Sequence, residues 1–181
     1  MQVSVYEVAS QKKALEELAK LIEKSTVDPM VRNAALAITH DVDSRDDLGE
    51  VQAIFQAVKH GTEQVEGLSK GLKYMSDPRW ADFFTSPSRI LKQSAHHPSL
   101  AAGDCDDHAA LICALLGSLG FVCGLRAWGR TKGEFTHVYA VVAMPKIGPE
   151  EFVGLDTTVE ESEVGWEPPK GHVLTAIMDS K

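Results

Sequence analysis

Residues 103–120 read GDCDDHAALICALLGSLG, and they predict a helix buried at the centre of the fold. After its first turn, the stretch from residue 106 to 119 is apolar on nearly every face, which is typical of a helix enclosed by other elements. Gly120 supplies a stop at the C-terminal end of this helix. The other secondary-structure elements of the chain are therefore expected to surround this helix.

The segments on either side of this helix differ in their periodicity. Upstream, apolar residues recur at helical spacing in residues 11–24, from residue 29 onward and in residues 46–58. Residues 61–103 lack such a period and contain three X-Pro turns, so they are expected to be mostly loop with short helical pieces. Downstream, apolar runs separated by Gly-rich and Pro-rich turns predict strands at residues 121–128, 135–144, 152–156 and 172–178.

The order of these elements predicts an α+β fold. The central helix packs on an antiparallel sheet and is preceded by a helical N-terminal region. We expect residues 1–60 to form that region and residues 61–181 to form the core, as one compact unit. The length of 181 residues, of which 44% are hydrophobic, fits one globular domain with a helical extension.

Composition argues against several classes of function. The formal net charge is −8 and no stretch gathers basic residues into a stripe, which disfavours nucleic-acid binding. No apolar run approaches the ~20 residues that span a bilayer, and the N-terminus lacks a secretory signal pattern, so we expect no membrane association and a cytoplasmic location. Three cysteines without a C-x-x-C pair predict neither a disulfide framework nor a zinc site, and no cofactor is expected.

Cys105 is the candidate nucleophile, because it lies where a loop enters the central helix. The helix dipole and the free N–H groups of a first turn favour a thiolate at such a position. Three neighbouring carboxylates, those of Asp104, Asp106 and Asp107, oppose a second negative charge there. A protonated histidine in contact would be a stronger stabiliser, and it would also act as general base and then general acid.

His137 and Asp156 are the candidate partners of that cysteine. His137 is an isolated ionisable residue at the start of an apolar strand, so it needs a polar partner. Asp156 ends the next strand and could accept the imidazole N–H, which would fix the tautomer of the ring. His108 is nearer to Cys105 in sequence, but it is expected beside an apolar wall and fits a capping or supporting role.

Three blocks in this order resemble the motifs of the transglutaminase-like superfamily of papain-type cysteine enzymes, over roughly residues 74–169. They are residues 103–109 with the apolar helix that follows, the strand residues 137–139, and residues 155–158. The resemblance implies a papain-like core in which the Cys105 helix packs on an antiparallel sheet that carries His137 and Asp156. These three residues would then form a catalytic triad.

A narrower resemblance is to small transglutaminase-like proteins of bacteriophages and prophages. It rests on residues 77–79, 86–87, 135–139 and 164–168. The chain departs from the wider family at two places. The family often has His-Ala-Trp where residues 137–139 of this chain are His-Val-Tyr, and Asp-Pro-Thr where residues 156–158 are Asp-Thr-Thr. Neither departure removes a triad group, so both bear on substrate preference.

The predicted activity is acyl transfer at an amide or peptide bond, by way of a thioester at Cys105, with a peptide or protein as substrate. His137 would take the thiol proton and return it to the leaving amine, and Asp156 would orient His137. The N–H of Cys105 is the expected first oxyanion donor, and the second stays open between Gln93 and Trp80. Hydrolysis is favoured over cross-linking, because no pattern marks an amine-binding site.

Other interpretations of the same residues remain open. The fold could serve as a catalytically silent binding or phage assembly protein, in the host cell or on the virion. The acidic residues around Cys105, together with His108, could bind a divalent cation, although helix capping already accounts for them. The pair His96 and His97 is a weaker metal candidate. Cys113 and Cys123 are expected to be buried apolar residues, and the oligomeric state is not predicted.

Overall fold

The computed structural model describes residues 5–76 and 84–178, with the backbone alone for residues 5–10. Its five helices are α1 (Val5–Thr26), α2 (Pro29–Ile38), α3 (Asp47–His60), α4 (Pro87–His96) and α5 (Cys105–Ser118). Its strands are β1 (Lys73–Tyr74), β2 (Ala102–Gly103), β3 (Cys123–Gly129), β4 (His137–Met144), β5 (Glu151–Leu155) and β6 (His172–Ile177). The predicted combination of helices with an antiparallel sheet is confirmed.

Strands β3 to β6 form one antiparallel sheet in the order β5-β4-β3-β6. A row of directly paired residues, Leu155, Ala140, Leu125 and Ala176, crosses all four strands and is buried. Because side chains alternate between the two faces of a strand, this row and its neighbours two residues away form one apolar face. That face packs against α5.

Helix α5 lies at the centre of the core, as its sequence predicts. Every residue from Asp107 to Leu116 is buried. Helices α1, α2, α3 and α4 all contact it, and strands β3 and β4 cover its remaining side. It begins at Cys105, one residue earlier than predicted. The capping turn after it includes Gly120 at φ 93° and the N–H of Phe121, which bonds the carbonyl of Leu116 at 3.2 Å.

Polar contacts join the N-terminal helices to the sheet side of the molecule. The ammonium of Lys146, in the β4–β5 connection, bonds the carboxylate of Glu50 in α3 at 2.5 Å. The ammonium of Lys59, also in α3, bonds the carbonyl of Ser162 at 2.5 Å, and the hydroxyl of Ser162 donates to the carbonyl of Asp156. Helix α3 therefore supports the loop that follows β5.

A membrane crossing needs a long, strongly apolar helix, and none of the helices within residues 5–76 and 84–178 meets that requirement.

Candidate functional site

Cys105 is the first residue of α5, and the preceding residue caps the helix. The carboxylate of Asp104 accepts hydrogen bonds from the N–H groups of Asp106 at 3.2 Å and Asp107 at 3.4 Å. Gly103 lies so close to the helix that a Cβ on it would be 2.5 Å from the Cβ of Asp107, so only glycine fits there. The half-buried Cys105 is thus held at the N-terminus of a rigid, enclosed helix.

His137 begins β4 and Asp156 directly follows β5, so the two residues meet at the ends of neighbouring strands, near the start of α5. The Nε2 atom of His137 lies 2.5 Å from Oδ2 of Asp156, which is 1% exposed. The other carboxylate oxygen, Oδ1, accepts from the N–H of Thr158 at 3.0 Å and from its hydroxyl at 2.7 Å. The carboxylate is therefore fixed from both sides. Because Nε2 faces Asp156, Nδ1 is the ring nitrogen left for Cys105.

The electrostatics of this pair favour its charged form. Burial lowers the pKa of His137, but hydrogen bonds with Asp156 and Cys105 and their negative charges outweigh it and raise the pKa to about 9. Burial raises the pKa of Asp156, but His137 and the Thr158 donors hold it below its usual range. A protonated imidazolium of His137 paired with the carboxylate of Asp156 is the expected state at neutral pH.

His108 also lies near the carboxylate of Asp156, but its role differs from that of His137. It is 2% exposed, and its Nδ1 shares a hydrogen bond with the hydroxyl of Thr157 at 2.9 Å. Burial lowers the pKa of His108 to about 4, although the Lys73 backbone and the charge of Asp156 act in the opposite direction. A neutral His108 therefore links α5 to the residue that follows Asp156, which is a supporting position.

Tyr139, to which the sequence analysis gave no role of its own, lies beside His137 on the outer face of the sheet. The ring of Tyr139 is stacked on that of His137, with centroids 6.1 Å apart and 16° between the planes. The Tyr139 hydroxyl donates to Glu167, whose other oxygen accepts from Arg126 at 2.7 Å. The two-residue spacing of His137 and Tyr139 on one strand was the available signal, since it places both on the same face.

The acidic cluster beside Cys105 carries less negative charge than its sequence suggests. Carboxylate oxygens of Asp104, Asp106 and Asp107 lie within 4.8 Å of one another. Burial, followed by the hydrogen bond and charge of Asp104 and the charge of Asp107, raises the pKa of Asp106 to about 8. Asp104 caps α5, and Asp107 accepts from the N–H of Thr85 at 2.8 Å. The carboxyl of Asp106 is then mainly protonated at neutral pH.

Replacing Asp106 by asparagine is expected to stabilise the protein, and more at high pH. The folded-state pKa of about 8 lies above the ordinary 3.8, so ionisation of Asp106 costs stability increasingly as pH rises from 3.8 to 8. The gain should be on the order of 1–3 kcal/mol larger at about pH 9 than at about pH 5. Urea unfolding measures it, with Asp41→Asn as an exposed control. An equal effect at both pH values would contradict the assignment.

An apolar cavity of about 550 Å³ opens beside the first turn of α5, between α1 and the sheet. Asp106 lines it, together with Leu18 of α1 and Val138, which directly follows His137. Tyr74 lies near Cys105, because it pairs with Gly103 in the β1–β2 pairing, two residues before Cys105. Burial and the charges of Cys105 and Asp104 raise the pKa of Tyr74. Tyr74 is 52% exposed and Phe84 lines the cavity, so among the described residues both aromatic rings offer a surface to a ligand in this region.

The structure thus brings Cys105, His137 and Asp156 together. Gln93, considered as an oxyanion donor, lies on α4 and lines a separate hollow. The other candidate, Trp80, lies outside the described residues, as do residues 77–79. Cys113 and Cys123 are buried, as predicted. Among the described residues, the three aspartates beside Cys105 are the one group with metal-ligand spacing, and His96 and His97 do not form another.

Comparisons with protein families, with curated proteins and with solved structures give no match to this chain. What the protein does is therefore inferred from the chemistry of the site.

Proposed function

We propose that this protein is a cysteine-dependent acyl-transfer enzyme that acts on amide or peptide bonds, with a papain-like, transglutaminase-like core of the kind found in bacteriophage and prophage proteins. The observation that supports it best is the placement of His137. Its Nε2 is 2.5 Å from the buried Asp156, and a hydrogen bond with Cys105 contributes to its raised pKa. Nucleophile, base and orienter therefore adjoin one another in the order the chemistry uses.

The catalytic cycle follows from these positions. The Cys105 sulfur, having given its proton to His137, attacks the substrate carbonyl carbon and forms a C–S bond. His137 then donates its proton to the departing amine as the C–N bond breaks, which leaves a thioester on Cys105. Neutral His137 next takes a proton from the water that attacks the thioester carbon. As the C–O bond forms the C–S bond breaks, so the carboxylic acid leaves and the Cys105 thiolate remains beside protonated His137 for the next cycle.

Two features of the site support the charge changes in this cycle. The N–H of Cys105 belongs to the first turn of α5, where helix N–H groups lack intrahelical partners, so it is a donor for the oxyanion. Asp156 keeps its negative charge while His137 gains and loses a proton, because Thr158 and His137 both bond it. It therefore orients the imidazole and stabilises the imidazolium.

Hydrolysis by a peptidase or amidase is preferred over cross-linking to an amine. The cavity beside α5 is lined mainly by apolar side chains, among them Leu18, Phe135 and Val138. Two of the described lining residues carry carboxyl groups. Asp106 is mainly protonated at neutral pH because of its raised pKa, and Glu17 already pairs with Lys20 at 3.0 Å, so the lining offers little charge to hold an ammonium. An apolar side chain on the acyl side of the substrate fits this surface better.

Acylation by p-nitrophenyl acetate tests the proposal. The sulfur of Cys105 should displace p-nitrophenolate and carry an acetyl thioester that mass spectrometry locates and hydroxylamine removes. Cys105→Ser should lower the acylation rate by at least roughly 100-fold, since an alcohol is a far weaker nucleophile than a thiolate. Acetylation at Cys113 or Cys123 with none at Cys105 would contradict the proposal.

Adding n-butylamine to the acetylated protein separates the two outcomes of the thioester. A hydrolase should release acetate at a rate that the amine leaves unchanged, whereas a cross-linking enzyme should form N-butylacetamide faster than acetate.

The binding or assembly alternative predicts a different result. In that case Cys105 forms no thioester, and its substitution leaves every measured property of the folded protein unaltered.

A further inference from the structure

Residues 84–103 contain no aspartate or glutamate, in a chain whose formal net charge is −8. The same stretch holds Arg89, Lys92, His96 and His97. Three of these residues, at positions 89, 92 and 96, recur at the three- and four-residue spacing that places side chains on one face of a helix. Helix α4 therefore carries a face with cationic and imidazole groups and no carboxylate.

The packing of α4 turns this face to solvent. Ile90, Leu91 and Ser94 are buried, and the first two join the hydrophobic core, so the orientation of the helix is fixed. Arg89 and Lys92, on the opposite side, are exposed. Within residues 5–76 and 84–178, the side chains of Arg89 and Lys92 take part in no ion pair or hydrogen bond.

These groups surround a hollow of about 560 Å³, which we call the α4 hollow. It is lined by Arg89, Lys92, Gln93, His96, His97 and Leu100. Guanidinium, ammonium and amide N–H groups all donate hydrogen bonds, and a guanidinium can bind a carboxylate through two parallel bonds. A surface that gathers donors without an acceptor carboxylate is complementary to an anion.

The α4 hollow lies close to the candidate nucleophile along the chain. Leu100, on its rim, precedes Cys105 by five residues, so their Cα atoms are at most ~18 Å apart. An extended peptide covers that distance in about five or six residues. A substrate that reacts at Cys105 can therefore reach the α4 hollow with residues near the reacting bond.

We propose that the α4 hollow binds an acidic segment of the peptide substrate, within about six residues of the amide that Cys105 attacks. This inference rests on the proposed function, and it specifies the substrate class. A short acidic segment fits better than a nucleic acid, because Arg89 and Lys92 can neutralise only a few charges while the remaining surface of this acidic chain repels a long polyanion.

Fluorescence anisotropy with fluorescein-labelled hexaglutamate tests the proposal in a Cys105→Ala background, where no turnover occurs. The double change Arg89→Glu and Lys92→Glu should weaken binding by roughly tenfold or more at low salt, because both attractive charges become repulsive. The matched control is Lys13→Glu with Lys132→Glu, which makes the same change in net charge at two exposed positions outside α4. Circular dichroism confirms that both variants fold.

Three results would overturn the proposal. The control could lose as much affinity as the α4 variant, which would show an effect of net charge alone. Labelled hexaglutamine could bind as well as hexaglutamate, or a single-stranded oligonucleotide could bind more tightly through Arg89 and Lys92. Because binding is measured without Cys105, these outcomes are separate from failure of the acyl-transfer proposal, which the acetylation experiment detects.

Discussion

Replacing Asp156 by asparagine is expected to lower the pKa of His137 from about 9 to about 6.5 or below. Asparagine keeps the shape of the side chain and an oxygen for the imidazole N–H, but it removes the negative charge 2.5 Å from Nε2. The burial of His137, which disfavours the imidazolium, is then opposed by Cys105 alone. An NMR titration of the His137 ring measures the change directly.

Asp41→Asn is the matched control for this titration. Asp41 bonds another histidine, His40, at 2.9 Å, but both side chains are at least 80% exposed. Its substitution should leave the titration of His137 unaltered. A His137 pKa that stays near 9 in Asp156→Asn would show that the buried carboxylate does not hold the imidazolium.

The same pair gives the stability of the protein a defined pH dependence. The folded-state pKa of His137 is raised above 6.5, so its contribution is complete below pH 6.5 and is lost as pH rises through about 9. The pKa of Asp156 is lowered below 3.8, so its contribution is present above pH 3.8 and is lost as pH falls further. As pH rises from about 6.5 to about 9, the free energy of unfolding should therefore fall less in Asp156→Asn than in wild type.

The parts of the fold that could be predicted from sequence are those with a strong local pattern. The apolar residues on all faces of α5 leave no solvent side, and this alone indicates that the helix is enclosed. His137 stood out because it is the one residue of an apolar strand that carries charge near neutral pH. Asp156 could be matched to it because consecutive antiparallel strands place their opposite ends side by side.

The parts that could not be predicted depend on distances between segments or on burial. The protonation state of Asp106 depends on how deeply its carboxyl group is buried and on its distance from Asp104. No local sequence pattern predicts either quantity. The hydroxyl of Tyr139 donates to Glu167, which lies 28 residues farther along the chain, and no local pattern pairs these two residues. The α4 hollow becomes visible only once packing fixes which helix face is exposed.

The pH dependence of Cys105 alkylation tests the central claim most directly. Iodoacetamide is applied to wild type and to His137→Ala, and peptide mass spectrometry locates the modified residue. Cys105 should react at about pH 6, at least roughly tenfold faster than Cys113 and Cys123, because an imidazolium partner stabilises the thiolate. Burial raises the pKa of the Cys113 thiol, so that residue should stay unmodified.

His137→Ala should slow this reaction at Cys105 by roughly 100-fold at about pH 6, whereas the exposed-site control His40→Ala should leave it unaltered. That result is expected if Cys105 and His137 form a thiolate–imidazolium pair. A Cys105 that reacts only near the usual thiol range of about pH 8.5, at the same rate in wild type and His137→Ala, would contradict the pair and the acyl-transfer function with it.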